Sequence, residues 1–530
     1  MPEQDSNRQS NSASSPSLFG LDSQKLPAYL LVILIAYAAV TSFCRAAIKP
    51  FWFDEICTFI MVRQQRISTL WSALKQGADV QPPGFYVAER LATALVANEN
   101  IGFRLLSILA FLCTVLCLFV LVRKRRGGMI ALLCAAIPLV TILYDDFAVD
   151  SRPYSLVVAC IAFALVCYQH APAVRWMILM GFSLALAQSF HYYAAFSFLP
   201  FFAAEAVLLL AERRLRWPVW LALGGGLLPI IPFWPLLWPS RAIYGAHFWS
   251  LPSLQMAEYS YGYYLENGPH TGITLAAASA FAVLGTMLAT NRRRTRERIA
   301  LEVWLQEPVI ILSFLSLPFV GVFLAELAHG GMSAKYVLPA MLGFPLAVAY
   351  VFPRLGPRSL APISVLALFL LGVTHQEKQF WSSYRGHFSS PADSVEVLVG
   401  TAGHADLPVV VSDPQDFMPL SHYASPAWTP RFVALVDAPQ DVIYTGSDSA
   451  DKELPILAAY FPLHVYGFTA FVAEHPVFLL YSSKGGAGSD WWPRKLKSDG
   501  YTLRPAAVKP KAEFDFFHQV FLVSRMKDAD

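Results

Sequence analysis

The sequence predicts an α-helical polytopic membrane protein of about eleven transmembrane helices, followed by a C-terminal extracytoplasmic α/β domain. Hydrophobic residues make up 55% of the 530-residue chain and charged residues only 15%, where a water-soluble protein carries about 25% charged residues. Apolar stretches close to the length that crosses a hydrocarbon core recur along the chain up to residue 374. The basic residues between them cluster on alternate connections. The formal net charge is only +3 and those basic residues belong to membrane loops, so no nucleic-acid partner is expected.

Residues 1–24 are polar and rich in Ser, Asn and Gln, which predicts a disordered tail. The first apolar run, 26–44, has no small-residue cleavage site and leads into a loop rich in functional side chains. It reads as a retained helix rather than a cleaved signal. Further spans are expected at 102–122, 128–143, 154–169, 175–190, 194–211, 218–238, 272–290, 308–326, 336–353 and 359–374. Arg123–Arg126, Arg175, Arg213–Arg216, Arg292–Arg298 and the pair Arg354 and Arg358 then share one side with the N-terminus. Positive loops face the cytoplasm, so the connections 49–101, 144–153, 239–271 and 326–335, the turn 190–193 and the domain 375–530 lie outside it. All seven cysteines fall between Cys44 and Cys167, so that domain has no disulfide framework. Within it, 407–412, 432–436 and 477–481 have the short β-branched or aromatic character of strands bounded by turns.

The outer connections hold the residues able to do chemistry. Phe51-Trp52-Phe53-Asp54-Glu55 places two carboxylates just past the first span. At the membrane boundary such a group is desolvated and more basic; equally, it favours a helix N-terminus. Ile56, Phe59, Ile60, Ile67, Leu70 and Leu74 follow at helical spacing, predicting an amphipathic helix in the interface. Asp79-Val80-Gln81-Pro82-Pro83-Gly84-Phe85-Tyr86 then sets a rigid turn and a new helix start. Arg104-Leu105-Leu106-Ser107 opens the second span, where an Arg pairs with an acid or snorkels to water. Tyr144-Asp145-Asp146-Phe147-Ala148-Val149-Asp150-Ser151-Arg152-Pro153-Tyr154 packs three carboxylates and an Arg between two spans. They form either a paired polar cluster or a solvated hairpin. His191-Tyr192-Tyr193 and Lys335-Tyr336 stand at the outer ends of later spans.

In order and spacing these motifs resemble the C-type (GT-C) glycosyltransferases, in the bacterial branch of the protein O-mannosyltransferases, the lipid A aminoarabinose transferase and the rhizobial core-sugar transferases. The resemblance covers residues 26–374. It implies a catalytic domain over 25–374 in a bacterial cytoplasmic (inner) membrane. It also implies transfer of a sugar from a polyprenyl-phosphate donor to an extracytoplasmic lipid, polysaccharide or protein. Asp54 matches the family's catalytic Asp, Glu55 its acidic neighbour, Asp150 and Arg152 the acidic and basic residues of the second outer loop, and Tyr154 the aromatic that follows. Lys335-Tyr336 is similar to a later basic-aromatic pair in which many relatives have Arg. Gln81 departs from the pattern, because relatives commonly have His or Lys there.

On this reading Asp54, Glu55 and Asp150 are catalytic, with Asp54 the base for the acceptor hydroxyl. Arg104, Arg152, Tyr154, His191, Tyr192, Lys335 and Tyr336 bind substrate, and the cations among them stabilise the leaving phosphate. A base and a leaving group on opposite faces predict inversion at the anomeric carbon. No cofactor is assigned; a divalent Mg or Mn ion is an open expectation, with Glu55, Asp146 and Asp150 as candidate ligands. A transporter or lipid flippase is the competing class, but it places its charges mid-span and often shows internal repeats. A non-catalytic scaffold would leave Asp54 and Asp150 dispensable.

Overall fold

The computed structural model describes residues 25–245, 247–297, 305–352, 361–384, 392–508 and 518–525. The expected tail 1–24, together with Arg298, Arg354 and Arg358, lies outside the described residues.

Helix α1, Leu26–Ile48, has Pro27 in its first turn and ends where Lys49, the residue before Pro50, turns extended, as a following proline favours. Helix α2, Phe53–Val62, begins with Asp54 and Glu55 in its first turn, where negative charge suits the exposed N–H groups. Helix α3, Ile67–Gln76, stops at Gly77 with φ +94°, a left-handed C-terminal stop that glycine adopts without strain. Helix α4, Pro83–Thr93, starts on the predicted proline turn.

The amphipathic interface helix expected after Asp54 is instead the pair α2 and α3. Nine of the ten α2 residues are buried, because α2 is covered on both sides. Behind it lies the membrane domain, and over it packs the helix Pro414–Tyr423 of the C-terminal domain.

Each predicted span falls on a helix or a bent pair of helices. Among the described residues, six helices are long and apolar enough to cross a membrane: α1, Leu105–Arg126, Tyr192–Glu212, Pro269–Asn291, Glu307–Ala328 and Ala334–Val351. The number rises to eight if two bent pairs each count as one span. These are Gly128–Val140 with Ile142–Val149, bent by 61°, and Trp217–Leu227 with Ile230–Arg241, bent by 41°. Tyr154–Tyr168 and Val174–Phe190 are apolar but shorter; fifteen helical residues reach only about 22 Å. Several spans unwind at one end into 3₁₀ turns, such as Tyr192–Phe198 and Ala334–Leu342, and those turns carry site residues. The helix Ala361–Tyr384 runs through the boundary expected at residue 375.

At one end of the bundle Gln306 donates to Tyr168 Oη at 2.8 Å, Arg126 reaches Glu307 at 3.5 Å, and Arg216 pairs with Glu205. Asp54, Asp79, Arg152 and Lys335 gather at the other end.

The C-terminal domain holds a six-stranded sheet in the order β3-β2-β1-β4-β6-β5. Its strands are β1 Val409–Val411, β2 Phe432–Val436, β3 Val465–Gly467, β4 Val477–Ser482, β5 Tyr501–Val508 and β6 Gln519–Arg525. The four strands from β3 to β4 are parallel, with Val409 opposite Phe432 and Leu479, and β6 is antiparallel to β4 and β5. The three predicted strands are β1, β2 and β4, which are central and buried on both faces, so their sequences are continuously apolar. One face of the sheet shares a hydrophobic core with α2 and α3, in which Val409, Val411 and Leu479 join Ile60, Leu70 and Leu74. Tyr423 Oη accepts from the Phe51 amide at 2.8 Å, and His422 packs edge-on against Phe59 at 4.7 Å between ring centres. The C-terminal domain is therefore seated directly on the loop that carries Asp54.

Candidate active site

Adjacent residues on a helix point about 100° apart, and the start of α2 uses this to separate its two acids. Glu55 turns inward. Its carboxylate takes Arg104 Nε at 2.8 Å, Arg104 Nη2 at 2.6 Å and the Ser151 amide at 2.8 Å, and neither side chain has any exposed surface. Asp54 turns toward a cavity. Its Oδ2 accepts from Lys335 Nζ at 2.8 Å and lies 3.9 Å from Arg152 Nε.

Arg152 is fixed by Asp79. Its two terminal nitrogens reach Asp79 Oδ2 at 2.7 Å and Oδ1 at 3.3 Å, and Nη1 also reaches the Asp54 carbonyl at 3.1 Å. Such forked pairs set orientation as well as charge. Lys335 Nζ stands over the rings of Trp52, Tyr154 and Trp249 at 5.3, 5.5 and 5.4 Å, an aromatic surround that favours a cation.

The cavity encloses about 460 Å³ and is lined by Asp54, Asp79, Gln81, Arg152, Tyr154, Lys335 and Tyr336, with Val80, Tyr244, Phe248, Trp249, Ser449 and Glu453. A second, more apolar lobe of about 670 Å³ is lined by His191, Tyr192, Tyr193, Leu237 and Arg241, and it shares Val80, Gln81, Tyr244, Phe248 and Tyr336 with the first. Gln81 Oε1, Tyr192 Oη and Arg152 Nε are buried without a hydrogen-bond partner among the described residues. Buried polar atoms of this kind are costly unless something else satisfies them.

The charges in the polar lobe are held in place. Burial works against an ionised Asp54, but Lys335 and then Arg152 outweigh it and bring its pKa below the ordinary carboxylate value. Burial likewise opposes charge on Arg152, and Asp79 and Asp54 more than offset it. His191 is pushed down to about 3 by burial, then by Arg152 and Lys335. It is a neutral imidazole whose Nδ1 accepts from the Tyr193 amide at 3.1 Å.

Seven of the sequence-predicted site residues therefore come together. Asp54, Arg152, Tyr154, Lys335 and Tyr336 line the polar lobe, and His191 and Tyr192 the apolar one. Glu55 and Arg104 do not line it; they neutralise one another behind the α2 turn. Asp150 sits behind Trp52, whose Nε1 donates to it at 3.0 Å. Asp146 is half exposed, with Lys49 Nζ 3.9 Å away. Among the described residues no three His, Cys, Asp or Glu side chains group to hold a metal ion. The three candidate ligands do not form such a set, because Glu55 is committed to Arg104 and Ser151. Asp79, Trp249, Ser449 and Glu453 were not predicted. Asp79 stands just ahead of the Pro-Pro turn, which was a usable signal; nothing in the local sequence marks the other three.

Asp150 gives a stability prediction. Burial, then the charge on Glu55, push its pKa to about 7, against the opposing pull of Lys49, Trp52 and Arg152. Between about pH 4, where an unfolded Asp ionises, and about 7, the folded chain keeps a proton that the unfolded chain has lost. The contribution of Asp150 is thus complete below that window and is lost as pH rises through it. Thermal unfolding midpoints of wild type and Asp150→Asn, measured from pH 4.5 to 7.5, are expected to differ in slope, with the wild type falling more steeply toward neutral pH.

A model of the dolichyl-phosphate-mannose-protein mannosyltransferase family matches residues 80–238. No curated protein sequence matches the chain. Among solved structures, ArnT from Cupriavidus metallidurans bound to undecaprenyl phosphate is similar, with a TM-score of 0.54 at 13% identity over 94% of this chain and 98% of that one. The apo state of that protein gives a TM-score of 0.44 at 13% identity, covering 93% and 98%. The Archaeoglobus fulgidus oligosaccharyltransferase with a tethered acceptor peptide gives 0.47 at 10% identity, covering 93% and 74%.

Proposed function

We propose that this chain, a multi-pass membrane protein with the GT-C fold, is a glycosyltransferase that moves one hexose or pentose from a polyprenyl-phosphate carrier to an extracytoplasmic acceptor. The observation that carries this reading is the two-lobed cavity. An ionised Asp54 is set between two fixed cations in a polar chamber, and that chamber adjoins an apolar lobe between span ends, with five lining residues in common. A lipid-linked sugar phosphate has the same division, with a polar head and a hydrocarbon tail. The relative of TM-score 0.54 was solved with undecaprenyl phosphate, a carrier of this class.

In the proposed reaction Asp54 accepts the proton of the acceptor hydroxyl, whose oxygen bonds to the anomeric carbon. The bond from that carbon to the carrier phosphate breaks. Its electron pair leaves on the phosphate, where Lys335 and Arg152 stabilise the developing charge. Attack from the face opposite the leaving group inverts the anomeric centre. No step is routed through a metal ion, since among the described residues no grouped donor set stands at the cavity. The positive-inside pattern supports an orientation with the N-terminus in the cytoplasm and the site at the outer face of a bacterial inner membrane.

The test is to incubate the purified protein with a panel of radiolabelled undecaprenyl-phosphate sugars and a membrane extract. One donor is expected to be consumed, with release of undecaprenyl phosphate and label in a new product. Consumption of none, alongside uptake of any of these lipids across a vesicle membrane, would favour a transporter.

A further inference from the structure

The polar lobe is not closed by the membrane domain alone. Its outer wall is supplied by the helix Ser449–Ala458 of the C-terminal domain, through Ser449 and Glu453. That helix is fastened to the outer loop on two sides. Lys452 Nζ donates to the Ile243 carbonyl at 2.6 Å, and the Trp249 amide donates to Ser449 Oγ at 3.2 Å. Leu454 and Leu457 are buried in the core shared with α2 and α3. Glu453 is thereby set one helical turn from Asp54 along α2, where Cys57 Sγ approaches its Oε1 at 3.4 Å. A thiol is a weak donor, and no other hydrogen bond is made to this carboxyl group among the described residues. Lys335 and Arg152 are already bound to Asp54 and Asp79, so neither cation is left for Glu453.

We propose that Glu453 holds the transferred sugar, pairing its carboxyl group with two neighbouring sugar hydroxyls in the polar lobe. This rests on the glycosyltransferase reading and adds a specificity-determining residue from outside the membrane domain. The phosphate must lie beside Lys335 and Arg152 and the lipid in the apolar lobe, so the sugar is what remains to fill the chamber that Glu453 faces. Burial, then Asp79 and Asp54, raise the pKa of Glu453 well above the carboxylate range, and Cys57, Arg152 and Tyr244 are the other titratable groups facing it. A protonated carboxyl group offers one donor and one acceptor side by side, which complements a vicinal hydroxyl pair. Glutamine presents the same two functions in nearly the same shape; alanine presents neither.

The test uses the full-length protein in detergent, with Glu453→Ala and Glu453→Gln, and two probes: undecaprenyl phosphate, and the sugar-bearing lipid that the wild type consumes. Glu453→Ala is expected to bind undecaprenyl phosphate as the wild type does. It should bind the sugar-bearing lipid about tenfold or more weakly than the wild type, with KM for it raised to match, because a site that hydrogen-bonds a hydroxyl loses heavily when a partner is removed. Glu453→Gln is expected to recover the larger part of that loss. Three results would overturn the assignment: wild-type affinity of Glu453→Ala for both probes, equal loss for both, or a Gln variant as impaired as Ala. The parent reading fails separately, through a wild-type chain that consumes no sugar-bearing lipid.

Discussion

Asp54→Asn is expected to lower the rate of glycosyl transfer by about 10²–10⁴-fold, the usual worth of a positioned general base, while the protein still folds and still binds undecaprenyl phosphate. Asparagine keeps the size of the side chain and can still accept a hydrogen bond from Lys335, so the cavity retains its shape. What it removes is the negative charge that Lys335 at 2.8 Å and Arg152 at 3.9 Å hold ionised. Those cations lower the basicity of Asp54 and so weaken it as a proton acceptor in the resting site. They become an advantage once the donor is bound, because a phosphate between Lys335 and Arg152 draws them away from the carboxylate. The loss should therefore appear in kcat, with KM for the donor changed little. A variant with more than a tenth of wild-type kcat would remove Asp54 from the role of base.

The membrane-domain half of this site was legible in the sequence because carboxylates, arginines and aromatics at span ends stand out against apolar runs. Asp54, Arg152 and Lys335 could each be picked out from that contrast. What sequence could not supply was direction. Asp54 and Glu55 are chemically alike and adjacent, and only the helical turn of α2 decides that one faces the cavity and the other Arg104. Asp150 was singled out with Arg152, yet Trp52 stands between it and the lobe. The contribution of Ser449 and Glu453 depends on how a separate domain docks, and nothing in their own neighbourhood records that docking. The sheet was legible in part for the same kind of reason. β1, β2 and β4 are buried on both faces and read as apolar runs, whereas β5 has only Tyr501 buried and is otherwise part-buried or exposed, so it gives no such signal.

Arg104→Met should destabilise the protein by about 3–5 kcal/mol, the cost of breaking a buried ion pair and leaving one charge behind. Arg104 ties three pieces of chain together. It holds Glu55 through two nitrogens, and it donates to the carbonyls of Ala46 at 2.9 Å and Pro50 at 3.0 Å. It thus clamps the end of α1 to the start of α2, with its guanidinium over the Phe51 ring at 4.9 Å. Loss of Arg104 leaves the Glu55 carboxylate enclosed with only amide partners, since Ser151 and Trp52 donate through their backbones. The double variant Glu55→Gln with Arg104→Met removes both charges and should recover more than half of the lost stability, a coupling that a double-mutant cycle reads directly. Activity should not recover with it. The first turn of α2 sets where Asp54 points, and without the Arg104 clamp that turn is free to shift by the ångström or so that separates a productive base from an idle one. A double variant that is stable and fully active would show that the direction of Asp54 is set elsewhere, by Lys335 and Arg152 alone.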